Sequence, residues 1–195
     1  MNAASLSLKG KIAVIVGGTA GIGRAISLGL AEAGAAVIAS ARNKDKVDSI
    51  TAELEAKDCS TLRVTCDVAS RASLEDLLQQ VLQRFGKVDI LVNCAAKIRR
   101  APTVTFPEDE WNDILDTNLT GTLQSCQIFG KCMLERKYGR IINIASLNSF
   151  VSLSEVAAYA ASKAAMVSLT RSLGVEWSKN GVLVNAIAPG VFLQN

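Results

Sequence analysis

The chain has 195 residues, of which 49% are hydrophobic and 5% aromatic, and its formal net charge at pH 7 is +3. This length is enough for one domain with a sizeable core over residues 1–195, and so small a charge argues against nucleic acid or an acidic membrane surface as a partner. The sequence contains no histidine, which excludes histidine-based catalytic triads, proton relays and metal sites.

Short apolar segments alternate with helical patterns along the chain. Six strands are predicted, at 11–16, 36–40, 62–66, 88–93, 140–145 and 182–188. Five helices are predicted, at 22–33, 44–57, 70–85, 108–137 and 156–179. Regular alternation of helices with apolar strands indicates an α/β fold of the doubly wound class, in which a parallel sheet carries helices on both faces. A ligand of such a sheet binds at the carboxyl ends of its strands.

A glycine-rich segment follows the first strand directly. Residues 17–23 read GGTAGIG, so that three glycines have the spacing G-x-x-x-G-x-G, and the helical segment RAISLGLAEAG comes next. Glycine lets the backbone approach a phosphate closely, and the N-terminus of the following helix supplies free N–H groups. A strand before the glycines and a helix after them favour nucleotide binding over a bare tight turn. The candidate contacts are Gly17, Thr19, Gly21, Ile22 and Gly23.

Three polar residues in the last third of the chain form a candidate catalytic group. Ser146 closes the apolar segment GRIINIAS, and Tyr159 and Lys163 lie four residues apart in a predicted helix. Four residues are about one helical turn, so Tyr159 and Lys163 share a face. An ammonium beside a phenol favours the phenolate, which gives a proton donor and acceptor usable near neutral pH. Y-x-x-x-K alone is common in helices, and the glycine segment upstream gives it weight.

The two groups together resemble the short-chain dehydrogenase/reductase family, and the resemblance extends from Lys9 to Gly190. Further landmarks of the family occur in order along the chain, at Cys66-Asp67-Val68, Asn93-Cys94-Ala95-Ala96, Asn118 and Pro189-Gly190. The resemblance implies a Rossmann fold that binds NAD(P). It also implies cofactor contacts from Asp67, Val68, Asn93, Ala95, Tyr159, Lys163, Pro189 and Gly190.

A mechanism is implied by the same resemblance. When a carbonyl is reduced, the nicotinamide delivers hydride to its carbon, Tyr159 protonates its oxygen, and Ser146 stabilises the charge that develops there. Lys163 is expected to hold the hydroxyls of the nicotinamide ribose. Asn118 is expected to hold a water that connects Lys163 to solvent. In a simpler interpretation, the side-chain amide of Asn118 only forms hydrogen bonds with backbone groups inside the long predicted helix.

The residues after the second strand bear on the choice between NADP and NAD. An acidic residue there would bond the adenosine ribose hydroxyls and favour NAD, but this chain has Ala41 and Arg42. Arginine can pair with a 2′-phosphate in a bidentate way, and in related enzymes an arginine at this position goes with NADP(H). We therefore expect NADP rather than NAD, with a solvated loop cation as the alternative interpretation of Arg42.

The expected substrate is a small carbonyl or alcohol, and Arg99 and Arg100 follow the strand at 88–93, near the cleft. The segment CAAKIRRAPTVTFPEDEW resembles family members that act on sugar acids, such as gluconate 5-dehydrogenases. A guanidinium such as that of Arg99 can bind a sugar-acid carboxylate. A solvated basic loop is an equal alternative for these arginines, because exposed loops are often charged.

Two other functions compete with this one. In family members that reduce 3-oxoacyl thioesters on acyl carrier protein, basic residues dock the carrier; here Lys137 fills one such position, but Val175 stands at the other. The third possibility is a nucleotide-binding protein without turnover, because the chain ends at Asn195 and family members usually continue with a substrate-covering segment and a seventh strand. We expect that last strand to be absent. Gln194 stands where a threonine often contacts the nicotinamide carboxamide.

The cysteines indicate the compartment. Five are present, without C-x-x-C or metal-ligand spacing, at positions 59, 66, 94, 126 and 132. An odd number of cysteines without a signal peptide suggests reduced thiols in a cytoplasmic protein. No segment approaches the roughly 20 apolar residues of a membrane helix. By resemblance we expect a homotetramer or a homodimer, because in the family the long helix and the catalytic helix pack across subunit interfaces.

Overall fold

The computed structural model describes residues 7–191. Five strands lie at Ile12–Val16 (β1), Ala36–Ser40 (β2), Ile90–Asn93 (β3), Gly139–Ile144 (β4) and Val182–Ile187 (β5). Six α-helices lie at Gly21–Glu32 (α1), Lys44–Glu55 (α2), Arg71–Phe85 (α3), Glu108–Leu115 (α4), Gly121–Glu135 (α5) and Ala157–Trp177 (α6).

The strands form one parallel sheet in the order β2-β1-β3-β4-β5. Helices α3, α5 and α6 contribute buried side chains to the core on one face, and α1 and α2 pack on the other. This confirms the predicted doubly wound fold. The order of strands reverses at β1, whose neighbours are β2 and β3, so a crevice forms beyond the carboxyl ends of β1 and β3.

The predicted strand at 62–66 is wrong, because this segment runs beside β2 without joining the sheet. One backbone hydrogen bond joins β2 to the chain just before the segment, from Val37 N to Ser60 O at 3.0 Å, and another joins its last residue to the residue after β2, from Cys66 N to Ala41 O at 3.1 Å. Val64 and Cys66 are nevertheless buried in the core. The apolar pattern of the sequence at 62–66 therefore indicated correctly that the side chains are buried. A strand also requires a continuous ladder of backbone hydrogen bonds, which this segment lacks.

The helix predicted at 108–137 is interrupted by one π-helical turn. Helix α4 ends at Leu115, residues Asp116–Thr120 form the turn, and α5 continues to Glu135. A Cβ on Gly121 would approach the carbonyl oxygen of Val68 to 2.6 Å, so α5 packs closely on the segment that carries Asp67 and Val68. π turns inside helices often occur at functional sites, and this one contains the buried Asn118.

Strands β2 and β5 are the edges of the sheet within residues 7–191. No helix in that range is both long enough and apolar enough to cross a membrane. Gln194, which was expected beside the nicotinamide, lies outside the described residues.

Candidate active site

The glycine segment forms a tight connection between β1 and α1. Gly17 and Gly21 have positive φ angles of 87° and 48°, which residues with a Cβ rarely adopt. A Cβ on Gly23 would overlap the carbonyl oxygen of Gly17, and a Cβ on Gly17 would overlap the backbone of Ala95. Because no side chain fits at Gly17 or Gly23, the bare backbone and the N-terminus of α1 face the crevice, where an anion is favoured.

Two adjoining cavities follow the carboxyl ends of the strands. The first, of about 210 Å³, is lined among others by Ala41, Arg42, Asp67, Val68 and Ala95. The second, of about 240 Å³, is lined among others by Ile22, Gly23, Ser146, Tyr159, Lys163, Pro189 and Gly190. Gly17, Cys94 and Ala96 line both cavities. The two cavities therefore form one cleft, and most of the residues predicted from the sequence surround it.

Ser146, Tyr159 and Lys163 lie together at one end of this cleft. The Lys163 side chain is buried, and its ammonium donates a hydrogen bond to the carbonyl oxygen of Ile144 at 2.6 Å. The ammonium nitrogen is 5.8 Å from the centre of the Tyr159 ring. The hydroxyl of Ser146 accepts a hydrogen bond from the N–H of Asn148 at 3.2 Å, and its own hydrogen can still be donated.

The electrostatics of this end are dominated by the burial of Lys163. Burial lowers the pKa of Lys163 from 10.5 to about 8, and the charge interaction with the neighbouring Cys94 opposes this shift. The physical cause is that removing an ammonium from water disfavours its charged form. Lys163 is therefore mainly charged at neutral pH and loses its proton in mildly alkaline solution.

Asn118 connects the segment after β3 to α6. Its side-chain oxygen accepts from the N–H of Lys97 at 2.7 Å, and its amide donates to the Lys97 carbonyl at 2.9 Å and to the Ser162 hydroxyl at 3.0 Å. Both amide donors and the oxygen thus have protein partners. The backbone partner is Lys97, outside the helix predicted at 108–137, so the bonds are not those of an amide that bonds backbone within that helix, and the water-holding role stays a prediction.

The remaining residues predicted to contact the cofactor differ in how deeply they are buried. Arg42 is exposed at the first cavity and forms no ion pair within residues 7–191, whereas the nearby Lys44 pairs with Asp48 at 2.6 Å. Thr19 belongs to the glycine loop itself. Asn93 is buried below the cleft, where its amide donates to the side-chain oxygen of Asn143 at 2.9 Å. Arg42 is therefore the cation that is free to meet a ligand in the first cavity.

The two arginines after β3 are exposed outside the two cavities. Arg99 forms an ion pair with Glu110 on α4, and Lys97 pairs with Asp113 on the same helix at 2.5 Å. Arg100 forms no ion pair within the described part of the chain. A substrate role for Arg99 stays a prediction, and it requires the pair with Glu110 to open.

Comparison with known proteins identifies the family of this chain. The family model for short chain dehydrogenases matches residues 11–194. The chain is a member of that family. A D-threitol dehydrogenase from Mycolicibacterium smegmatis is 39% identical to it over 186 residues, which cover 95% of this chain and 72% of that protein.

Of two solved structures similar to this chain, one holds NADP and the other NAD⁺. A gluconate 5-dehydrogenase from Burkholderia cenocepacia, crystallised with NADP and tartrate, is 34% identical with a TM-score of 0.94, and the match covers 100% of this chain and 76% of that one. An NAD⁺-bound xylitol dehydrogenase is 30% identical with a TM-score of 0.93, and the match covers 96% of this chain and 72% of that one.

Several residues around the cleft of this short-chain dehydrogenase were not predicted from the sequence. Lys97 and Thr117 line the first cavity. The sequence could have indicated them, because they stand directly beside the family landmarks Ala96 and Asn118. The Ser149 hydroxyl accepts from the N–H of Ser146 at 3.3 Å and donates to the carbonyl of Lys163 at 3.0 Å. Contacts of this kind run through backbone groups, which have no signature in a sequence.

Proposed function

We propose that this short-chain dehydrogenase is an NADP(H)-dependent oxidoreductase that interconverts a ketone and a secondary alcohol. The observation that carries the proposal is the placement of Ser146, Tyr159 and Lys163 in one cleft with the glycine loop. Ser146 holds the substrate oxygen, Tyr159 exchanges the proton with it, and Lys163 stabilises the phenolate. Incubation of the protein with NADP⁺ and a panel of secondary alcohols tests this through the absorbance of the NADPH formed.

The cleft fits a dinucleotide. The backbone at Gly17 and Gly23 leaves no space for a Cβ, which is the arrangement that lets N–H groups approach a pyrophosphate. When it is bound, the nicotinamide supplies or accepts the hydride. The residues proposed to hold the dinucleotide are Gly17, Thr19, Gly21, Ile22, Gly23, Arg42, Asp67, Val68, Asn93, Ala95, Tyr159, Lys163, Pro189 and Gly190.

Arg42 is proposed to select NADP(H) by pairing with its 2′-phosphate. Arg42→Ala is expected to weaken NADPH binding by roughly 10- to 100-fold, the size of a lost charge-assisted hydrogen bond, and to leave NADH binding nearly unchanged. Titration of nucleotide fluorescence measures both affinities. Lys44→Ala is the matched control, because Lys44 stands two residues after Arg42, at the start of α2, and already pairs with Asp48. Equal weakening of NADPH and NADH in Arg42→Ala would show that Arg42 does not read the 2′-phosphate.

The proposed contact of Lys163 with the nicotinamide ribose makes binding dependent on pH. Its pKa of about 8 means that the ammonium is present below this pH and is lost as the pH rises through it. We expect the dissociation constant of NADPH to rise above about pH 8. In Lys163→Met the affinity should be lower and should no longer change over this range. A wild-type affinity that stays constant across the same range would contradict the contact.

The substrate is proposed to be a sugar acid or a polyol. Support comes from the similarity to a D-threitol dehydrogenase and to a gluconate 5-dehydrogenase and from the two exposed arginines after β3, Arg99 and Arg100, of which Arg99 is the proposed substrate contact. Guanidinium groups bind carboxylates well. A substrate screen should therefore include sugar acids, uncharged polyols and a 3-oxoacyl thioester. Turnover of the thioester alone would favour the carrier-protein reductase, and tight NADPH binding without turnover of any ketone would favour a nucleotide-binding protein.

We also propose an oligomeric state and a cellular compartment for this protein. Residues 1–195 are proposed to be one NAD(P)-binding domain that forms a homodimer or a homotetramer, which light scattering measures directly. All five cysteines are free thiols in the structure, and this supports a reducing compartment such as the cytoplasm.

A further inference from the structure

A chain of buried polar side chains crosses the molecule beneath the catalytic end of the cleft. Asn93 on β3 and Asn143 on β4 are paired residues of neighbouring strands, and the amide of Asn93 donates to the side-chain oxygen of Asn143 at 2.9 Å. The amide of Asn143 donates to the hydroxyl of Thr170 on α6 at 2.9 Å. These three residues are 3%, 0% and 5% exposed. A buried network of this kind specifies one arrangement of the elements that it joins.

The hydroxyl of Thr170 acts as both acceptor and donor in this chain. It accepts from Asn143 and donates to the carbonyl oxygen of Met166, one turn earlier on α6, at 2.8 Å. An apolar side chain of the same shape could not replace it without leaving a buried amide donor of Asn143 unpaired. The bond therefore depends on the chemistry at position 170 as well as on its volume.

The same strand and helix are connected a second time, closer to the cleft. Lys163 precedes Thr170 by seven residues, about two helical turns, so both lie on the face of α6 that meets β4. The ammonium of Lys163 bonds the carbonyl oxygen of Ile144, the residue that follows Asn143. Ser146 lies two residues further along the chain. Sliding or rotation of α6 along β4 would therefore break both links and move Lys163 away from Ser146.

We propose that Asn143 and Thr170 are positioning residues, and that their hydrogen bond fixes α6 against β4 in the register that brings Tyr159 and Lys163 opposite Ser146. The inference rests on the proposed function, which assigns the chemistry to those three residues. Neither Asn143 nor Thr170 lines the cleft. Their effect reaches it through the backbone of β4 at Ile144 and through the body of α6.

Thr170→Val is the direct test, because it keeps the shape and β-branching of the side chain but removes the hydroxyl. We expect kcat to fall by roughly 10- to 100-fold, the effect of a misplacement of about 1 Å at a reacting group. The rising limb of the pH profile of kcat/KM for alcohol oxidation should also move to higher pH, because the ammonium no longer stabilises the phenolate as well. Thermal unfolding measured in parallel reports the purely structural cost.

Two further variants separate positioning from simple stability. Thr170→Ser restores a hydroxyl at the same place and is expected to return kcat and the pH profile to nearly wild-type values. Ser172→Ala is the matched control, because the Ser172 hydroxyl bonds the carbonyl of Ser168 at 3.3 Å on the exposed side of the same helix. It should change neither kcat nor the pH profile.

A Thr170→Val protein with a lower Tm but a wild-type kcat and pH profile would overturn the inference, since the bond would then serve stability alone. If the valine variant does not fold, Thr170→Ala replaces it, because its smaller side chain leaves room for a water that can satisfy the Asn143 amide. The direct bond between Asn143 and α6 is still lost, so the expected changes in kcat and in the pH profile are the same. If the wild-type protein turns over no substrate, the proposed function fails. The inference is then decided by the pKa of Lys163, measured by NMR of ¹⁵N-labelled lysine: a difference between wild type and Thr170→Val supports it, and equal values overturn it.

Discussion

Tyr159→Phe is expected to lower kcat by about 10²- to 10⁴-fold, the usual contribution of a positioned acid or base. The substitution removes the proton donor but keeps the ring, whose centre lies 5.8 Å from the Lys163 ammonium. The affinity for NADPH should therefore stay close to the wild-type value. Single-turnover kinetics with saturating NADPH separate the chemical step from binding.

Tyr138→Phe is the matched control, because Tyr138 is the other of the two tyrosines of the chain. It stands just before β4, at the opposite end of that strand from Ser146, and its ring packs against Lys11 and Arg140 at 4.1 and 4.7 Å from its centre. Phenylalanine preserves this packing, so we expect unchanged turnover. Turnover of Tyr159→Phe near the wild-type rate would mean that another group protonates the substrate.

Gly23→Ala is expected to abolish detectable NADPH binding and to destabilise the fold. The added Cβ would overlap the carbonyl oxygen of Gly17. The overlap is with backbone, so rotation of a side chain cannot relieve it, and the loop has to move away from the crevice. Overpacking of this kind typically costs about 1–3 kcal/mol of stability. Fluorescence titration with NADPH and thermal unfolding measure the two effects separately.

Gly29→Ala on the same helix provides the comparison. A Cβ at Gly29 meets no heavy atom within 4 Å, and alanine in a helix interior is more favourable than glycine by about 0.5–1 kcal/mol. This variant should bind NADPH normally and unfold at a slightly higher temperature. If Gly23→Ala instead binds NADPH as tightly as Gly29→Ala, the loop does not hold the pyrophosphate.

The sequence was sufficient to predict the alternation of elements, because strands buried on both faces are continuous apolar runs and the helices are amphipathic. It was insufficient at 62–66, where burial without ladder bonds produces the same pattern as a strand. The π turn at Asp116–Thr120 escaped prediction for a related reason, since one wider turn hardly disturbs the apolar period of a long helix.

The candidate site divides in a similar way. Residues that belong to a short sequence motif could be singled out from the sequence. Gly17 and Gly23 of the glycine segment and the pair Tyr159 and Lys163 are of this kind, and they line one cavity. Contacts between distant segments were not predicted. The pair of Arg99 with Glu110 and the bond between Asn143 and Thr170, 27 residues apart in the chain, depend on how elements pack, and neither residue of a pair identifies its partner.

The burial of Lys163 has a consequence for the stability of the whole chain. Its pKa of about 8 in the folded state lies below the value of 10.5 that the unfolded chain provides. At about 1.4 kcal/mol for each pKa unit, keeping this ammonium charged at neutral pH opposes folding by on the order of 3 kcal/mol. The opposition is complete below about pH 8 and disappears as the pH approaches 10.5. We expect that an anionic dinucleotide bound beside Lys163, by favouring its charged form, offsets part of this cost and raises the free energy of unfolding.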